Sequence, residues 1–123
     1  MDKKYYITTP IYYPSAKPHM GHAYSSIIAD FFARFKRMDG FDVHFLTGTD
    51  EHGLKIQRSA EKQNIDPLEF CNQISQTFRD LSQTLNLTNT DFIRTTEERH
   101  KKTVQYLWNE LEKNDDIYLS KYS

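Results

Sequence analysis

An α/β fold built on a parallel sheet is what this sequence predicts, and three features carry the prediction. A strand, a loop, a helix and a second strand follow one another within residues 5–47, the unit that builds parallel sheets. Unusual backbone geometry is gathered early, with Pro10, Pro14 and Pro18 and every glycine falling at or before Gly53. Beyond Gly53 only Pro67 interrupts, and apolar residues recur at helical spacing. The expected architecture is the N-terminal half of a doubly wound sheet followed by helices.

Each element has a local reason. Tyr5-Tyr6-Ile7-Thr8-Thr9 is rich in β-branched and aromatic residues and stops at Pro10, as a strand entering a loop does. From Ala23 onward Tyr24, Ile27, Ile28, Phe31, Phe35 and Met38 recur at steps of three and four, the spacing of a helix face, and the Phe31, Phe32 and Phe35 cluster is expected in the core. Lys36 and Arg37 suit the negative end of that helix and Gly40 the left-handed position beyond it. Val43 to Thr47 forms the second strand, and Leu54 to Lys62 reads as helix. Asp66-Pro67-Leu68-Glu69 has the form of a capping box with proline at the first helical position; Phe70, Ile74, Phe78, Leu81 and Leu85 continue one face. Thr95-Thr-Glu-Glu98 opens a last helix with Val104, Leu107, Trp108 and Leu111 as its buried stripe, and Ile117-Tyr118-Leu119 is expected to begin a strand.

The 123 residues carry 16 basic and 17 acidic side chains, a formal net charge of −1, so the chain as a whole is no basic clamp for nucleic acid. One cysteine, Cys71, makes neither an internal disulfide nor a cysteine-rich metal site, and on its apolar stripe it reads as an inert buried thiol. No run approaches ~18 consecutive apolar residues, and Met-Asp-Lys-Lys-Tyr-Tyr has no apolar signal core; the expected setting is cytoplasmic, with no membrane partner. Glu97-Glu-Arg-His-Lys-Lys102 reads as a solvated, self-paired helix face.

Two segments carry chemistry. His19-Met20-Gly21-His22 lies between the first strand and the long helix, where free backbone N–H groups favour phosphate. Each imidazole can donate to phosphate oxygens, and Gly21 has no side chain to keep a flat base from the backbone. Thr47-Gly48-Thr49-Asp50-Glu51-His52-Gly53 leaves the carboxyl end of the second strand, the edge at which parallel sheets bind ligands. Asp50 is placed there to accept from an ammonium group, and Ile11, Tyr12 and Tyr13 to line a side-chain pocket, with packing as a loop aromatic the bland reading of either tyrosine. The bland readings are a chance histidine pair and a solvated turn at Asp50-Glu51-His52. A metal cluster joining that turn to His19 and His22 is the other, but no local spacing matches a familiar site, so no metal is assigned.

The first segment resembles the His-Ile-Gly-His signature of class I aminoacyl-tRNA synthetases, whose catalytic domain is Rossmann-like. Thr8-Thr-Pro-Ile-Tyr-Tyr-Pro14 before it, Ala33-Arg-Phe-Lys-Arg-Met38 after it and Phe45-Leu-Thr-Gly-Thr-Asp-Glu-His-Gly53 narrow the likeness to the methionyl-tRNA synthetase family, strongly over residues 5–58. The resemblance implies an enzyme that activates methionine with Mg-ATP to methionyl-adenylate and transfers it to tRNA(Met). It further implies that His19 and His22 act on the phosphates as the catalytic and ATP-binding pair. Gly21 would lie under the adenine, Asp50 would hold the amino group, and Ile11 and Tyr13 would touch the methionine side chain. Met20 departs from the usual isoleucine, and Ala16 stands where glycine is common.

On this resemblance residues 1–115 are the N-terminal part of the catalytic domain and 116–123 the start of the connective insertion. The family's Lys-Met-Ser-Lys-Ser loop, the connective domain with any zinc and the anticodon-binding helices have no counterpart here. The polypeptide alone is therefore expected to be inactive, to bind no zinc, and to expose an apolar face that invites association. Two alternatives stay open: a leucyl-type class I synthetase for another aliphatic amino acid, and a non-catalytic adenine-nucleotide-binding module.

Overall fold

The computed structural model describes residues 3–121. The elements run β1 (Lys4–Thr8), α1 (Met20–Met38), β2 (Asp42–Thr49), α2 (Leu54–Gln63), α3 (Pro67–Thr84), β3 (Asp91–Arg94) and α4 (Glu98–Lys113). The strands form one parallel sheet in the order β1-β2-β3, with Ile7 opposite Phe45 and Thr47 opposite Phe92. The α/β class and the parallel strand–helix–strand unit are as the sequence predicts.

Alternation along β2 sends Val43, Phe45, Thr47 and Thr49 to one buried face. Phe45 packs there with Ala29 and Ala33 of α1, and the Thr49 hydroxyl lies 3.2 Å from that of Ser75 in α3. Both crossovers therefore lie on the same side of the sheet, the outcome when strands are laid down in sequence order with crossovers of one hand. The opposite face carries exposed Tyr6 stacked on His44. The second helical layer of a doubly wound sheet is not among the described residues.

The helix α1 corrects one expectation. Its large apolar stripe does not face the sheet: Tyr24, Phe31 and Phe35 are 69%, 63% and 53% exposed, and Phe32 is exposed as well. The buried residues are Ala23, Ser26, Ala29, Asp30 and Ala33. Small side chains let the helix axis approach the strands closely, and Val43, Phe45, Tyr5 and Ile7 supply the bulk from the sheet side. The cluster Phe31, Phe32 and Phe35 is thus not core in these residues. Gly40 takes the left-handed position beyond the helix at φ 79°, as its place after Lys36 and Arg37 implies.

The α3 cap forms in part: Asp66 accepts from the Leu68 and Glu69 amides with Pro67 at the first position, but Glu69 turns to Asn72 and Gln73 instead of closing the box. In α4 no residue is buried, so the Val104, Leu107, Trp108 and Leu111 stripe is exposed, against expectation. Arg99 reaches back from α4 to Asp91 at 2.6 Å and to Glu97, and Lys101 pairs with Glu98, so this charged face is solvated and self-paired as expected. Ile117-Tyr118-Leu119 forms no strand, because a strand needs a neighbour for its ladder and none lies beside it; Tyr118 and Leu119 stand 82% and 101% exposed. The third strand of the sheet is instead the short segment Asp91–Arg94, which the sequence pattern did not announce. The expected connective segment 116–123 shows no regular structure through residue 121, and its last two residues lie outside the described chain.

Candidate functional site

The helix start at Met20 places both histidines in the first turn of α1, and the two rings cap it reciprocally. His19 is the N-cap, and its Nδ1 accepts from the Gly21 amide at 3.0 Å; His22 Nδ1 accepts from the His19 amide at 3.1 Å. An amide N–H donates only to a ring nitrogen without a proton, so each neutral ring carries its hydrogen on Nε2. The cap thus uses one nitrogen of each imidazole and leaves two Nε2–H donors, on rings whose centroids are 3.9 Å apart, beside the positive end of a 19-residue helix. Burial holds the His22 imidazole below its ordinary 6.5, and the neighbouring His19 pushes it the same way. A neutral His22 is what the cap requires, since a proton on Nδ1 would break it.

Gly21 sits between the two. A Cβ there would lie 2.9 Å from His19 Cε1, so the folding back of the His19 ring over the helix start requires glycine at this position. Behind His22 stands Tyr12, buried, with its ring edge-on to His22 at 4.8 Å and stacked on Phe78 at 5.6 Å, and with its hydroxyl 3.0 Å from that of Ser26. Of the two loop tyrosines, Tyr12 is packed and Tyr13 is 59% exposed. The Tyr12 backbone joins the end of β2: its amide donates to Gly48 and its carbonyl accepts from the Asp50 amide, each at 2.9 Å.

These contacts bring the candidate residues onto one side of the sheet. His19, His22, Ile11 and Tyr13 line a single cleft of about 390 Å³ together with Pro10 and Lys17. Asp50 is not in its wall, but is tied through its amide to Tyr12, which lies between Ile11 and Tyr13. Among the described residues the Asp50 carboxylate makes no hydrogen bond or ion pair, and no three His, Cys, Asp or Glu side chains are grouped to hold a metal. Gly48 needs no side chain because β3 crosses it closely: a Cβ would lie 1.9 Å from the Ile93 carbonyl oxygen.

Sequence reasoning missed what surrounds Asp50. Glu51 is buried and bonded in bidentate fashion to Arg94 at the end of β3, and His52 lies 3.3 Å from the Thr95 carbonyl through Nε2. The two partners of the ion pair are far apart in sequence, and no periodicity links them. A glutamate between two glycines was the only available signal.

A parallel sheet carries a histidine-capped helix after its first strand and an acidic loop after its second, and the comparisons with known proteins give this arrangement its class. The family described as tRNA synthetases class I (M) matches residues 5–123, and the chain belongs to it. The chain is 53% identical over 121 residues to the mitochondrial methionine–tRNA ligase of Takifugu rubripes, covering 98% of this chain and 20% of that protein. It is 55% identical over 118 residues to the methionine–tRNA ligase of Rickettsia conorii, covering 96% of this chain and 23% of that one. It superposes on Mycobacterium tuberculosis methionyl-tRNA synthetase bound by methionyl-adenylate with a TM-score of 0.95 at 45% identity, covering 98% of this chain and 24% of that structure. The LeuRS of Agrobacterium radiobacter K84, in a complex with tRNA and LeuAMS, shares the fold at a TM-score of 0.81 and 23% identity. The chain therefore spans between a fifth and a quarter of the length of these methionyl relatives.

Proposed function

We propose that this chain builds the adenylate-facing half of a methionine–tRNA ligase site. ATP, delivered with Mg²⁺, and L-methionine are its small substrates, and tRNA(Met) the final acceptor. The methionine carboxylate attacks the α-phosphate in line and pyrophosphate leaves, a reaction that asks for positioning and for stabilisation of developing charge more than for a protein nucleophile. His19 and His22 donate to the phosphates through Nε2–H, Gly21 lies under the adenine, Ile11 and Tyr13 meet the methionine side chain, and Asp50 receives its ammonium group. The observation that carries this reading is the reciprocal histidine cap, which occupies both Nδ1 atoms and leaves both Nε2–H groups free to donate. The unpaired Asp50 carboxylate supports the ammonium assignment.

The domain boundary near residue 115 is supported by the end of α4, where Asn114 caps the helix and Asp115 turns left-handed at φ 58°. The setting we propose is the cytoplasm; among the described residues no helix is long and apolar enough to cross a membrane. Since His19 and His22 are only part of a phosphate site, the chain by itself is expected to support no methionine-dependent ATP–pyrophosphate exchange.

Calorimetric titration tests the assignment. Methionine and a non-hydrolysable methionyl-adenylate analogue should bind in preference to leucine, and Asp50→Ala should weaken both by about 10-fold to 100-fold, the worth of roughly 1.4–2.7 kcal/mol in a charge-assisted contact. Leucine-selective binding would favour the leucyl alternative, and nucleotide binding without amino-acid selectivity the non-catalytic one.

A further inference from the structure

Glu51 is held at every polar atom it has. Its side chain has 0% exposure, and its carboxylate receives Arg94 Nε at 2.8 Å, Arg94 Nη2 at 2.7 Å and the Thr96 hydroxyl at 3.1 Å. Its amide donates to the Thr95 hydroxyl at 2.8 Å, and its carbonyl receives the Cys71 thiol at 3.8 Å. Arg94 is fixed in turn by Asn72 of α3, whose side-chain oxygen accepts from Nη2 at 2.7 Å. The residue just before this clamp, Asp50, is pinned on its other side by the Tyr12 carbonyl, yet its carboxylate has no partner among the described residues.

A buried ion pair is a poor source of stability, because desolvating two charges cancels most of their attraction. Its bidentate geometry does fix orientation, which a pair of apolar side chains would not. Here that orientation belongs to the backbone on which the free carboxylate is mounted. We propose that the Glu51–Arg94 pair is a positioning device that sets Asp50 for the substrate ammonium group. Glu51 and Arg94 touch no substrate and act through the peptide that joins Asp50 to Glu51. The inference rests on the assignment of Asp50 made above.

The test is done on the complete protein that carries this sequence, by titration with methionine and with its desamino analogue, 4-(methylthio)butanoate. The ratio of the two dissociation constants reads the ammonium contact alone, and ATP affinity reads the rest of the site. Glu51→Gln should lower the methionine preference by about tenfold while ATP affinity stays within about twofold, and should add nothing in an Asp50→Ala background, since coupled groups are not additive. A structural role alone would lower thermal stability and weaken ATP and both acids together. If Glu51→Gln does not fold, Arg94→Lys is read in the same assay, because lysine keeps the charge and loses the fork. Full retention of the preference in the variant, or a loss that adds to that of Asp50→Ala, overturns the proposal. If Asp50→Ala itself keeps the preference, the Asp50 assignment has failed and the clamp proposal falls with it, a pattern distinct from the first.

Discussion

At the scale of residues, the site was legible where one residue type has one use. His19 and His22 three apart, with Gly21 between them, stand at the strand–helix junction where the sequence puts them, at the start of α1. Glu51 and Arg94 were not legible, since an ion pair between the ends of two strands leaves no local pattern. Glycine has the sharpest consequence at Gly48. Its φ needs no left-handed freedom, but a Cβ would lie 1.9 Å from the Ile93 carbonyl oxygen and 2.7 Å from Ile93 Cγ2. Relief requires β2 and β3 to part, so Gly48→Ala should cost about 3 kcal/mol, the upper range for overpacking, in urea denaturation. At Gly21 the obstacle is the end of the His19 ring, which can rotate away. A loss at Gly48→Ala no greater than at Gly21→Ala would show that the strands yield more easily than this contact implies.

The helices were legible in kind, but the buried faces of α1 and α4 were misread. The period of α1 was right, yet the helix carries two stripes, and spacing alone does not say which is buried. The stripe of Ala23, Ser26, Ala29 and Ala33 is buried because the helix lies close on the strands, and it includes one charged residue, Asp30. That carboxylate accepts from the Thr88 amide and hydroxyl, each at 2.6 Å, and from Arg34 Nε at 2.7 Å, tying α1 to the turn before β3. Burial pushes the Asp30 carboxyl up, but the hydrogen bonds from Thr88 and Arg34 outweigh it and hold it below 3.8. A carboxyl whose folded value is depressed contributes stability above its unfolded value and loses it as pH falls. Asp30→Ala should therefore destabilise the protein by about 1–3 kcal/mol at neutral pH, leaving the Thr88 amide unpaired. The deficit should begin to shrink as pH falls through 3.8, where the unfolded chain's carboxyl takes up its proton, and be lost at lower pH once the native carboxylate is protonated too. A deficit independent of pH would mean that packing, and not the charge, is what Asp30 supplies. The strand β3 escaped notice because four residues are too few to show alternation; its position is fixed by the parallel register with Leu46 to Thr49.

For the whole molecule, the parallel α/β architecture followed from the order of elements, while the distribution of exposed surface did not. Ile27, Phe31 and Phe35 on α1 and Val104, Leu107 and Trp108 on α4 form two apolar helix faces open to solvent, and Tyr6 adds an aromatic on the bare side of the sheet. Soluble monomers rarely carry contiguous apolar patches beyond a few hundred Å². The methionyl relatives are four to five times as long as this chain, since it covers 20% to 24% of them, and their additional residues offer what would bury such faces. The polypeptide taken alone should satisfy them with its own copies. Sedimentation velocity should show an average mass that rises with concentration above that of the 14.6 kDa monomer. Phe31→Glu with Trp108→Glu should restore the monomer while leaving the sheet intact by circular dichroism, because both side chains are more than half exposed and take little part in the core. A chain that stays monomeric with both aromatics in place would show that these faces are tolerated in water.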